Sequence, residues 1–293
     1  MLIRKTPVWI SQERCGLGEN PMWDADSGDL YWISITPPAV YRMRDGQVRQ
    51  YPCLKPVGSI YLAAPGWLLV AMRSALAWLN LGNGDLSLVT VQAEISPDER
   101  FNDGRCDRSG ALWVSTLDRR VESPIGSIVR FDTQFNGTAF PSQAIIGNGI
   151  CFSNDDASLY FSDSRGRAIY RYPKDGGTLG PRERFAELDG DPGRPDGCTV
   201  DAQGCLWSAR IGGGRIDRYA PDGRLVDSLQ LPVADPTHCT FGGADMQTLF
   251  VTTAQAHSGS MSQDPALDGA VLAFELGIQG VAEYRLDARY RRT

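Results

Sequence analysis

The chain has 293 residues, 42% of them hydrophobic and 22% charged, which is enough apolar material for a large core and excludes a disordered protein. Its formal net charge of −6 supplies no basic face, so neither nucleic acid nor an anionic membrane is expected as a partner.

Taken from the N-terminus, Met1-Leu2-Ile3-Arg4-Lys5 does not lead into an apolar run long enough for a signal peptide or a membrane span, so a cytoplasmic protein is expected. The stretch Pro7 to Ile10 is expected to form a strand that closes the fold beside the C-terminal Ala282 to Leu286. Next comes a phrase that recurs along the chain: a polar residue, a short apolar strand, an Asp/Gly turn, then Leu with an aromatic or apolar neighbour. Its clearest copy runs from Pro195 to Trp207.

The Leu of each copy serves as an anchor: Leu30, Leu68, Leu112, Leu159, Leu206 and Leu249, at intervals of 38, 44, 47, 47 and 43 residues. In the fifth copy four strands follow one another, Cys198 to Val200, Leu206 to Ala209, Ile216 to Tyr219 and Leu225 to Leu229. They are separated by turns at Asp201-Ala202-Gln203-Gly204, Gly212-Gly213-Gly214 and Pro221-Asp222-Gly223. Third strands recur at Val40-Tyr41, Leu76 to Trp78, Ile128 to Phe131, Ile169 to Tyr172 and Val271 to Phe274. A repeat of this length with several short strands per copy predicts an all-β, six-bladed β-propeller of four-stranded antiparallel blades, one domain over residues 1–293. The second copy lacks the turn Asp, having Ala64-Pro65-Gly66, and the sixth carries an insertion between Thr253 and Gly269. The seven cysteines, odd in number and without a CxxC pair, are expected to be reduced and buried, with no zinc or redox role.

In a propeller the start of each innermost strand reaches the mouth of the central channel. Counting back ten or eleven residues from the anchors gives Glu19, Gly58, Asn102, Asn148, Asp196 and His238. Taken singly, Asn148-Gly149 and Asp196-Gly197 read as turn dipeptides. Their common register with Glu19 points instead to a shared site. Glu19, Asn148 and Asp196 offer carboxylate and amide oxygens for one divalent cation, with Asn102 as a further oxygen. Ca²⁺ is placed first, with Mg²⁺, Mn²⁺ or Zn²⁺ as alternatives; two histidines, His238 and His257, cannot make a three-histidine zinc site. Connections between second and third strands should cover the mouth and set selectivity. They hold Ser34 to Pro38, Arg73, Asp118 to Arg120, Asp163 to Arg167, Arg210 to Gly214 and the long Ala254 to Asp268 segment.

Gly16 to Trp23, Arg100-Phe101-Asn102-Asp103-Gly104-Arg105-Cys106-Asp107, Asn148-Gly149-Ile150, Pro195-Asp196-Gly197 and Phe241 to Asp245 together resemble the senescence-marker-protein/gluconolactonase (regucalcin-like) family. The resemblance runs from about Gly16 to Thr253. It implies a six-bladed propeller that hydrolyses a sugar lactone to the open aldonic acid with one divalent metal. It further implies Glu19, Asn148 and Asp196 as metal ligands, Asp196 as general base, and Arg100 and Asn102 as substrate contacts. The family's Gly-Glu-Gly-Pro is Gly18-Glu19-Asn20-Pro21 here, and its Trp-Val-Asp is Trp32-Ile33-Ser34. The acidic residue that often follows its Gly-Thr-Met is offered by Asp118, a third substrate-binding candidate, beside Arg119 and Arg120.

Two rival readings use the same fold: a metal-dependent phosphoester or organophosphate hydrolase, and a non-catalytic propeller that binds a metal, a sugar or a protein. No GxSxG elbow or phosphate-binding Gly-Lys-Ser/Thr is present. The expected partner is a small-molecule sugar lactone, and the expected state a monomer.

Overall fold

Each Leu-aromatic pair divides its side chains between two neighbours. Leu206 packs with Tyr160 and Ile169 of the preceding repeat, whereas Trp207, next in the strand, packs with Phe241 and Leu249 of the following one. Successive residues of a strand point to opposite faces, and here both faces are dry, so the second strands carry apolar residues at consecutive positions, Leu206-Trp207 and Leu112-Trp113-Val114 among them. The same split separates Leu112 from Trp113 and Leu249 from Phe250. The resulting apolar clusters lie one between each pair of neighbouring repeats, including the sixth and the first. The ring therefore closes as a six-bladed β-propeller.

The structure, a computed structural model, describes residues 2–291 apart from Glu94, Asp189, Asp191 and Ala256, with the side chain of Glu187 also left out. Blade five is Arg194–Val200, Leu206–Ile211, Arg215–Tyr219 and Leu225–Gln230, antiparallel throughout. The innermost strands of the other blades are Gly18–Asp24, Val57–Leu62, Glu99–Cys106, Gly147–Phe152 and Pro236–Gly242. Blades two and six, which carry the least regular copies of the repeat, are complete four-stranded sheets.

The Asp/Gly turn has a chemical reason. Asp201 Oδ1 accepts the backbone N–H groups of Gln203 at 2.9 Å and Cys205 at 3.0 Å, while its Oδ2 accepts Trp207 Nε1–H at 2.9 Å. One carboxylate thus closes the turn and fixes the indole six residues on. Asp107 does the same in blade three with Ser109, Ala111 and Trp113. Such local side-chain-to-backbone bonds favour turns over competing helix.

Closure differs in its partner from the expected one. Trp9–Ile10 supplies the outermost strand of blade six but pairs with Val271–Glu275, Trp9 opposite Ala273. Residues 282–286 form no strand; they cross the end of the channel away from the mouth, where Glu283 pairs with buried Arg105 at 3.1 Å. A strand partner there would have removed Glu283 from a guanidinium that burial leaves in need of a counter-charge. A further strand, Leu2–Arg4, adds in parallel to the outside of blade five. The cysteines are all buried and unpaired, and no helix among the described residues is long and apolar enough to cross a membrane.

Candidate active site

Every innermost strand is irregular where it reaches the mouth. Its pairing with the second strand shifts register between Glu19 and Met22, Val57 and Ser59, Phe101 and Gly104, Asn148 and Cys151, Pro195 and Cys198, and Pro236 and His238. A bulge takes consecutive side chains out of strict alternation and re-aims them. It falls on or beside each of the six positions counted back from the anchors. Glu19, Asn102, Asn148 and Asp196 line one cavity of about 230 Å³ together with Arg100. That is smaller than the roughly 300–1,000 Å³ of pockets that take drug-sized ligands and suits a single sugar ring.

The other two positions serve differently. A Cβ on Gly58 would stand 2.7 Å from the Asn102 carbonyl oxygen, so glycine lets blade two approach blade three. His238 lies one layer deeper, its ring against Gly197, where a Cβ would come within 1.9 Å of it. Cys239 N–H donates to His238 Nδ1 at 2.8 Å, and Nε2 stands 3.3 Å from Asp103 Oδ1.

Hydrogen bonds join the mouth residues into an arc across three blades. Arg100 Nη1 donates to Asn102 Oδ1 at 3.1 Å, Asn102 Nδ2 donates to Asn148 Oδ1 at 2.8 Å, and Asn148 Nδ2 donates to Asp196 Oδ1. Asn102 Nδ2 also reaches the Gly147 carbonyl at 2.9 Å. Glu19 stands outside the arc and, among the described residues, accepts only its neighbour's backbone N–H, from Asn20 at 3.2 Å.

Burial, then the charges of Asp196 and Asp103, push the Glu19 carboxyl well above the ordinary carboxylate range. Asp196 is pushed up well above it too, by burial and by Asp103, with Arg194 pulling the other way. Asp103 behaves oppositely: burial raises it, but His238, Arg105 and the Ile150 N–H outweigh that and hold it low. Two enclosed carboxylates therefore face one cavity above a third that stays ionised, and among the described residues neither has a Lys, Arg or His in ion-pair contact.

Such a donor set fits a hard divalent cation, which would relieve the repulsion that raises both groups. No group of three or more His, Cys, Asp and Glu side chains among the described residues is arranged to hold a metal; the set here is two carboxylates and an amide. The Asn148 NH₂ faces Asp196 and Ser164 and its oxygen faces Asn102. Presenting that oxygen to a cation requires the amide to turn over and give up the Asn102 contact.

Asp118 is not brought to the cavity. Its carboxylate accepts the backbone N–H groups of Arg120 at 3.1 Å, Glu122 at 2.9 Å and Ser123 at 2.7 Å, capping its own loop, and Arg119 takes the place in the cavity wall. Arg194 and His257, the latter from the long sixth-blade segment, also line the cavity. Asn20 is a further working residue. Its left-handed φ of 43° explains why glycine is common there in the resembled motif, and the amide earns its place by accepting Ile60 N–H at 2.8 Å and donating to Asp103 Oδ1 at 2.9 Å.

A larger cleft of about 900 Å³ lies at the opposite end between blades one and two. There Arg42 and Arg44 pair with Asp29 at 2.8 and 2.6 Å, Arg285 pairs with Asp26 at 2.8 Å, and Arg49 donates to the Leu81 and Gly82 carbonyls at 3.1 Å.

Residues 17–255 match the family model of the SMP-30/gluconolactonase/LRE-like region. The chain belongs to this family. Similar SMP-30/gluconolactonase relatives include a 6-deoxy-6-sulfogluconolactonase from Pseudomonas putida, 36% identical over 91% of this chain and 94% of that one. An L-arabinolactonase from Azospirillum brasilense is 34% identical over 90% of both chains. Among solved structures, a calcium-binding protein, regucalcin, from Agrobacterium tumefaciens superposes with a TM-score of 0.87 at 29% identity, over 99% of both chains.

Proposed function

We propose that this member of the SMP-30/gluconolactonase family is a lactonase that hydrolyses a sugar lactone to the open aldonic acid at the channel mouth. The observation that carries the reading is the pair of enclosed carboxylates, Glu19 and Asp196, on one sugar-sized cavity. The lactonase relatives support the substrate class, and the calcium-binding neighbour supports Ca²⁺ as the first cation to test. All-thiol cysteines suit a reducing, cytoplasmic setting.

Glu19, Asp196 and a turned Asn148 amide would hold the cation. When bound, it supplies Lewis-acid stabilisation of the negative charge that develops on the lactone carbonyl oxygen. Asp196, ionised in that state, takes a proton from water as the water oxygen bonds to the carbonyl carbon. The ring C–O bond then breaks, and the proton held by Asp196 passes to the departing ring oxygen, which becomes a hydroxyl. The acid formed releases its own proton to solvent. Arg100 and Asn102 hold ring hydroxyls, and two bonds that do not involve the Asn148 amide steady them, Arg100 Nη1 to Asn102 Oδ1 at 3.1 Å and Asn102 Nδ2 to the Gly147 carbonyl at 2.9 Å.

A panel of pentono- and hexonolactones in a pH-stat tests this. After chelation proton release should fall to the uncatalysed rate, and Ca²⁺, Mg²⁺ or Mn²⁺ should restore it. Turnover of a phosphotriester in preference to every lactone would favour the rival hydrolase, and unchanged rates after complete chelation would remove the cation from the reaction.

A further inference from the structure

The cavity holds more positive charge than a neutral sugar lactone can use. Arg100, Arg119 and Arg194, from different strands and loops, line it together with His257, in a chain whose net charge is −6. Among the described residues its carboxylates are Glu19 and Asp196. Once those two are balanced by a dication, as the lactonase reading requires, the three guanidiniums are surplus. The Arg194 side chain stands in the cavity wall with no hydrogen-bond or ion-pair partner among the described residues, and its charge pulls Asp196 down. Arg119, an exposed side chain on the cavity wall, is steadied by donating from Nη1 to the Pro97 carbonyl at 3.2 Å, which leaves its other guanidinium N–H groups without a partner among the described residues. The neighbouring acid, Asp118, is spent on the backbone of its own loop and does not neutralise it. Much of the remaining wall is apolar, Leu17, Ile35, Leu117 and Ile146 among it, and strengthens any charge pairing inside.

We propose that the substrate is a sugar lactone bearing a fixed anion, a sulfonate, phosphate or carboxylate remote from the lactone carbonyl, and that Arg119 and Arg194 bind that anion. Guanidinium forks match planar and tetrahedral oxyanions and bind them by charge-assisted hydrogen bonds. Arg100 remains with the ring, bound as it is to Asn102.

The proposal rests on the lactonase reading, and two measurements separate them. First, kcat/KM is compared for 6-phosphoglucono-1,5-lactone and glucono-1,5-lactone, with the 6-sulfonate and 6-carboxylate analogues distinguishing which oxyanion is preferred. The anionic lactone should lead by about tenfold or more, and the ratio should fall by about tenfold in Arg119→Gln/Arg194→Gln. Second, 6-phosphogluconate and gluconate are titrated into the cation-loaded protein by calorimetry, with the same variant as control. The phosphorylated acid should bind the wild type more tightly by a similar factor and lose that advantage in the variant. If no lactone is opened, the lactonase reading fails while the calorimetry still judges the anion site. Equal binding of the two acids, or a preference that survives both substitutions, overturns the proposal.

Discussion

Asp196→Asn should lower kcat on the substrate lactone by about 10²–10⁴-fold, measured by pH-stat at saturating cation. The substitution keeps the size of the side chain and a partner for Asn148 but removes the carboxylate assigned to take a proton from water. It also removes one negative ligand, so the cation must be raised until the rate stops responding. Misfolding is separable from lost chemistry by the sign of the pKa shift. Because burial and Asp103 raise Asp196 in the folded state, its charge opposes folding near neutral pH. The metal-stripped variant should therefore melt no lower than stripped wild type at pH 7. Turnover within tenfold of wild type would assign the base to another group.

Asp201→Ala should cost about 3–5 kcal/mol of stability, the range for removing one partner of a buried ion pair. Asp201 is fully buried, and besides the turn N–H groups and the Trp207 indole it accepts Arg218 Nε–H at 2.9 Å. Alanine would leave the indole N–H without its partner and one side of a mostly buried guanidinium uncompensated, in the strand that joins blade five to both its neighbours. Guanidinium chloride unfolding checks this against Asp222→Ala, an exposed turn Asp whose Oδ1 accepts Arg224 N–H at 3.0 Å. The exposed change should cost about 1 kcal/mol or less. Equal midpoints for the two variants would mean that the buried Asp is not what holds the turn to the core.

That same Asp explains why the blades were legible in the sequence. The bonds from Asp201 to Gln203, Cys205 and Trp207 span six residues, and the Leu-aromatic pair that follows faces two interfaces at once, so turn and strand are written side by side. The mouth was legible because Glu19, Asn102, Asn148 and Asp196 sit at a nearly constant distance from those anchors, where each inner strand bulges. The layer beneath was not. Asp103 meets His238 from three blades away, and Glu283 reaches Arg105 from the C-terminal segment; only the closed ring brings them together. Asp118 and Arg119 are adjacent in sequence, and composition cannot tell which turns inward. Three backbone N–H groups decide it by claiming the carboxylate.

The meeting of Glu19 and Asp196 around a single cation is tested most directly by calorimetric titration of Ca²⁺ or Mn²⁺ into stripped protein, in two buffers of different ionisation enthalpy. Both carboxyls are held above their ordinary range, so the cation should bind at one per chain and expel protons, more weakly as pH falls. Without the cation, thermal stability should decline as pH climbs from about 4 through the raised values, since the folded state keeps protons that the unfolded chain gives up, and the cation should restore more stability at pH 8 than at pH 5. Glu19→Gln should weaken binding and reduce the protons released. No binding, or binding with the same affinity and proton count in Glu19→Gln, would contradict a cation at the channel mouth.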